Sequence, residues 1–205
     1  MRKLLALTAL AATLIAPSAA TAQVNMLFTP NTITTPLNGG AFIGSGTLSG
    51  FSTPFTIFCT DQNNNISFGT TYDVVVTSLK SPTSMTGTRL GAAGSVFALD
   101  MYRANASLAS QMLANSDLAT RNLLQSQIWG NYGATSISNL VGNTNFDATG
   151  WYVITGRLVN ANNDDRAMQE QLGFSPVPEP STYALLASGL VGLGAVARRR
   201  RAQQA

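Results

Sequence analysis

Tyr72-Asp73-Val74-Val75-Val76-Thr77-Ser78 is the stretch on which the fold turns. Its three consecutive valines are stiff at χ1 and pack well on a pleated surface, so the run predicts a strand. Working backward, residues 24–28, 41–48 and 54–59 share this β texture. They are separated by Asn38-Gly39-Gly40, Ser49-Gly50 and Asn63-Asn64-Asn65, which favour turns. Working forward, the texture changes. Residues 92–104, with Val96, Phe97, Leu99, Met101 and Tyr102, predict a helix, and residues 107–114 a shorter one. Residues 117–129 predict a third, capped by Ser116 or Asp117 and ended by Gly130. Residues 150–159 suit a strand or a helix, while 164–172 predict a short amphipathic helix ended by Gly173. The expected fold class is therefore α+β: an N-terminal antiparallel β part with a helical part packed on it. Trp129, Phe97, Leu99, Val75, Ile57 and Leu124 are the expected core.

Both ends of the chain carry topogenic patterns. Arg2-Lys3, the apolar run from Leu4 to Ile15 and Ala20-Thr21-Ala22 before Gln23 have the order of a secretory signal peptide. Cleavage is expected between Ala22 and Gln23, with Ala20 and Ala22 as the small residues of the site. At the other end, Val177-Pro178-Glu179-Pro180-Ser181 leads into 17 uncharged residues, Ser181 to Ala197, and then Arg198-Arg199-Arg200-Arg201. That length is at the lower edge of a bilayer-spanning helix. The two prolines favour an extended lead-in, and the arginines favour the cytoplasmic side, which places the preceding chain outside. Gly189, Gly192 and Gly194 offer a small-residue face for packing against another membrane helix.

The tail closely resembles the PEP-CTERM signal of Gram-negative exported proteins. The resemblance implies recognition by an exosortase, a membrane-embedded cysteine peptidase that removes the tail during surface delivery; an uncut single-span anchor is the alternative. The expected organisation is a signal peptide over 1–22, an exported domain over 23–175 and a sorting tail over 176–205, with a single transmembrane helix. The expected partners are the Sec translocon, signal peptidase, the exosortase and the inner membrane before processing. The expected final location is the cell surface or extracellular matrix, in a biofilm and exopolysaccharide context.

Charge follows the same division. The whole chain is formally +3, but half of its 12 basic residues lie in the two terminal patterns. Between Gln23 and Val177 there are six basic residues against eight acids, a net charge of −2, so the high pI belongs to the terminal patterns and no nucleic-acid partner is expected. About 155 residues suffice for one domain with a real core. The chain has no histidine, so Ser-His-Asp and Cys-His nucleophile systems and histidine-ligated metals are excluded within it. One cysteine makes no internal disulfide. Asp61-Gln62-Asn63-Asn64-Asn65 begins like a calcium loop, but Ile66 and Tyr72 stand where glycine and glutamate are needed, so a solvated Asx-rich turn is expected. The eight acids are scattered without the signature of a glycosidase pair. No enzyme, cofactor or metal is expected.

The lone cysteine and the third helix belong together. Cys59 ends an apolar β segment in Phe58-Cys59-Thr60-Asp61. Leu118, Gln125, Ile128 and Trp129 share one helical face, which puts the Gln125 amide on an apolar stripe, where it needs a partner. Phe58-Cys59-Thr60-Asp61 and Gln125-Ser126-Gln127-Ile128-Trp129 resemble the aromatic-Cys-x-Asp and Gln-x-x-Ile-Trp contexts of thioester domains in bacterial surface adhesins. Gln127 departs from that pattern, which commonly has alanine. The resemblance implies an internal thioester between Cys59 and Gln125, opened once by an amine or hydroxyl of a partner, with Asp61 and Trp129 orienting and shielding the site. An inert, buried Cys59 with Gln125 bonded to a strand edge accounts for the same residues. An intermolecular disulfide or a lipid-modified thiol is a third reading, the latter disfavoured because Cys59 lies far from the signal cleavage site.

Overall fold

A computed structural model of the chain describes residues 24–82, 84–160, 163–164 and 168–175. The first four strands are β1 (Val24–Pro36), β2 (Phe42–Leu48), β3 (Phe55–Cys59) and β4 (Tyr72–Ser78). Three helices follow: α1 (Arg89–Ala92), α2 (Ala98–Ala114) and α3 (Leu118–Tyr132). The chain then returns to strands β5 (Trp151–Gly156), β6 (Leu158–Asn160), β7 (Asn163–Asp164) and β8 (Gln171–Phe174).

Six of the strands form a closed antiparallel barrel in the order β1-β2-β3-β8-β5-β4, with β4 returning to β1. This corrects the expected α+β arrangement of a β part followed by a helical part. The β elements come from both ends of the domain and the helices are an insertion between β4 and β5. Pairing explains the difference: β1–β4 alone would leave β3 and β4 with open edges, and β8 and β5 fill that gap by pairing with each other and with those edges. Of the helix expected over 164–172, the described residues are not helical: Asp164 belongs to β7, and Gln171 and Leu172 to β8. Gly173, expected as a helix end, is a strand residue at a close approach. A Cβ there would lie 2.9 Å from Ile154 Cδ1 and 3.0 Å from Phe55 Cδ1.

The helices also differ in their bounds. The two expected before residue 115 are one continuous α2, and its middle residues Asn105, Ala106 and Ser107 are buried rather than forming a break. Asp117 caps α3, accepting from the Thr120 N–H at 2.8 Å, as expected. Gly130 does not end it; the helix runs to Tyr132 with Gly133 as its C-cap. Asn131 Nδ2 donates to Asn105 Oδ1 at 2.6 Å, tying α3 to α2 through a buried amide pair. Of the expected core, Ile57 and Leu124 are buried, whereas Trp129, Phe97, Leu99 and Val75 are half-buried. The signal peptide and the transmembrane helix expected over 181–197 lie outside the described residues. Among the described residues, no helix is long and apolar enough to cross a membrane.

Candidate functional site at the end of β3

Cys59 is the last residue of β3 and is fully buried as a free thiol. Burial pushes this thiol up to about 12; a hydrogen bond from the Phe42 backbone opposes the shift and the Asp61 charge adds to it. At neutral pH the side chain of the unreacted protein is held as the thiol.

The third helix delivers Gln125 to this point. Gln125 is buried, and its Nε2 donates to the Cys59 main-chain carbonyl at 2.9 Å. The expected pair is therefore in contact, but through the peptide oxygen of Cys59. Gln125 Oε1 is buried with no hydrogen-bond partner. Trp129, one turn further along α3, packs its ring against the turn that enters β2: a Cβ on Gly39 would lie 3.0 Å from Trp129 Cζ3, and Gly39 has φ of 68°. The Asn38 N–H in the same turn donates to Asn122 Oδ1 of α3 at 2.8 Å. The Trp129 indole nitrogen is buried without a partner.

Asp61 is buried although the turn it opens is mostly exposed. Its Oδ1 accepts from the Asn64 N–H at 3.0 Å and from Asn64 Nδ2 at 3.2 Å, which folds the Asn-rich turn back onto Asp61. Its Oδ2 accepts from the Glu170 N–H at 2.8 Å and lies 3.4 Å from Arg89 Nη1. Asp61 thus anchors the turn and clamps the segment that precedes β8.

Gln169 and Glu170 of that segment, with Gln171 at the start of β8, form a buried polar run that the sequence does not single out. Gln169 Nε2 donates to the Asp61 carbonyl at 2.7 Å, and the Gln169 N–H donates to the Asn65 carbonyl at 2.9 Å. Glu170 is fully buried. Its Oε1 accepts from the Arg89 N–H at 2.9 Å and Thr155 Oγ1 at 2.6 Å, and its Oε2 from Tyr102 Oη at 2.6 Å and from Tyr132 Oη. Burial and the Glu170 charge raise both tyrosine hydroxyls well above their ordinary value, so they remain donors. Gln171 stands directly across from Cys59 on β8 and is fully buried. Three consecutive long polar residues before Leu172-Gly173-Phe174 were the available signal, and amphipathic helical spacing masked it. A surface pocket of about 360 Å³ lined by Thr88, Arg89, Thr155 and Arg157 reaches two of the Glu170 partners, but Cys59 does not line it.

The sorting residues Val177, Pro178, Glu179, Pro180 and Ser181, the four arginines from Arg198 to Arg201, and Ala20, Ala22 and Gln23 lie outside the described residues. Compared with known families, residues 176–201 match the PEP-CTERM protein-sorting motif. The chain therefore carries the signal of an exported protein that is membrane-anchored before processing and is sorted by an exosortase. No curated protein and no solved structure matches the chain.

Proposed function

We propose that the exported domain is a surface or extracellular-matrix adhesin that binds its partner covalently, through an internal thioester formed by Cys59 and a glutamine side chain. The sequence resemblance names Gln125 as that glutamine. The observation that carries the reading is that helix α3 sets the fully buried Gln125 amide on the main chain of a fully buried free cysteine, with Gln125 Oε1 left without a donor. Buried polar atoms are rarely orphaned without a purpose. A thioester in so closed a site is shielded from water until a partner's amine or hydroxyl reaches it. The reaction is used once, so the protein is not an enzyme, and biofilm matrix is the setting its sorting signal suggests.

A non-covalent structural role is the second reading. It is favoured by the Gln125–Cys59 main-chain bond, which satisfies the amide nitrogen as a strand-end cap does. Intact mass spectrometry of the exported protein recovered from its host separates the two. The adhesin reading expects a mass one ammonia short of the processed polypeptide, converted by methylamine into a stable adduct. A full mass, with Cys59 alkylated as soon as the protein is unfolded, overturns it. The same spectrum reports whether the chain ends near Pro178-Glu179-Pro180.

A further inference from the structure

We infer that the Trp129 indole N–H is the oxyanion donor of the thioester reaction, an assignment that rests on the reading above with Gln125 as the acyl residue. Attack on an amide carbon moves negative charge onto its oxygen, here Gln125 Oε1. A buried oxygen without a donor resists that charge, so the reaction needs a hydrogen-bond donor that waits for it. Among the described residues Gln125 Oε1 is buried with no partner, and Trp129 Nε1 is its complement, a buried donor with no acceptor. Orphaned buried polar atoms are rare in folded domains. Here an acceptor and a donor stand one turn apart on α3.

Helix geometry makes the two side chains neighbours. Residues four apart have Cβ atoms about 5–6 Å from each other. A helical side chain leans back over the turn N-terminal to its own Cα, so Trp129 covers the turn that carries Gln125. Each is also held from a second side. Gln125 Nε2 donates to the Cys59 carbonyl at 2.9 Å, which fixes the amide against the end of β3. The far edge of the indole lies against Gly39, where a Cβ would be 3.0 Å from Cζ3 and 3.2 Å from Cη2. The Asn38 N–H, bonded to Asn122 Oδ1, ties that turn back to α3. The indole N–H makes no hydrogen bond before reaction, so its full strength is gained as the charge develops. Interactions stronger in the transition state than in the ground state are those that accelerate a step.

In the step itself, the Cys59 sulfur attacks Gln125 Cδ. The Sγ–Cδ bond forms as the C=O electron pair moves onto Oε1, which accepts from Trp129 Nε1. The pair then returns, the Cδ–Nε2 bond breaks, and the nitrogen takes the thiol proton and leaves as ammonia. Opening by a primary amine passes through the same kind of oxyanion. A C–N bond forms at Cδ, the Sγ–Cδ bond breaks and one amine proton goes to the sulfur.

Replacing Trp129 in the full chain by benzothienylalanine, which puts sulfur where the indole has N–H and keeps the ring shape, tests the assignment. Intact mass of the exported protein, the rate of methylamine adduct formation and the denaturant midpoint are read together. The wild type is expected to be one ammonia short. The isosteric protein is expected to unfold at the wild-type denaturant concentration, yet to keep its full mass or to open about 10²–10³-fold more slowly. Trp129→Phe, which also lacks the N–H, is expected to show the same loss of reaction. If Trp129 acts by packing alone, Trp129→Phe unfolds earlier while the isosteric protein forms and opens the thioester at the wild-type rate. That result overturns the assignment and leaves the thioester reading standing; a wild-type protein of full mass overturns both.

Discussion

Asp61 does three jobs at one carboxylate, and its removal separates them. Asp61→Ala strands the Glu170 N–H and the Asn64 amides and removes one partner of the partly buried Arg89 guanidinium, which keeps the Met168 carbonyl. The expected loss of folding stability is about 3 kcal/mol, measured by denaturant unfolding. The same substitution removes a charge that raises the Cys59 thiol. Alkylation of that thiol in any folded, unreacted Asp61→Ala protein is therefore expected to be faster than in wild type at the same pH. If the two proteins unfold at the same denaturant concentration, the clamp described for Asp61 is not holding the segment before β8.

Among the six strands of the barrel, β8 is the shortest and has the largest consequence. Its four residues pair on both sides, with β3 and with β5, so they close the barrel and present Gln171 to Cys59 together. Leu172→Pro removes a donor from a strand paired on both sides and fixes a backbone angle there. The expected cost is about 3 kcal/mol or more, with loss of the cooperative unfolding transition and, if the site forms, of the ammonia deficit. β2, β3, β4 and the first five residues of β1 were legible because their apolar and β-branched runs and the turns at Asn38-Gly39-Gly40 and Ser49-Gly50 are local signals; residues 29–36, the rest of β1, contain Pro30 and Pro36 and were not read as strand. The cap of α3 was legible at Asp117 for the same reason. β8 was not legible: Gln169, Glu170 and Gln171 look solvent-facing until Asp61, Tyr102, Tyr132 and Thr155, distant in sequence, supply their partners. Cys59 could be singled out by composition alone, and Gln125 by its place on an apolar face. Gln171 needed the register of β3 against β8, which no window of sequence contains.

For the molecule as a whole, the buried thiol sets an alkaline limit. The Cys59 thiol has an ordinary value of 9.0 and is pushed up to about 12 in the fold. Between those values the unfolded chain has released the proton and the folded chain has kept it, so stability falls as pH rises, by about 1.4 kcal/mol per pH unit. Below pH 9 both states keep the proton and the effect is absent. Tyr102 and Tyr132 act in the same direction at higher pH, so the comparison is with Cys59→Ala, which keeps the tyrosines. Denaturant midpoints of the free-thiol protein are expected to fall more steeply than those of Cys59→Ala across this window; parallel curves would show that the thiol is not buried as described. The position of β8 has a further consequence for synthesis. The strand that completes the barrel ends at Phe174, and the sorting motif begins at residue 176. A chain that stops short of β8 keeps two raw edges, on β3 and β5, open to aggregation and proteolysis. Ribosomal products that fail to complete the barrel thus also lack the address, so quality control of the domain removes chains that could not have been delivered.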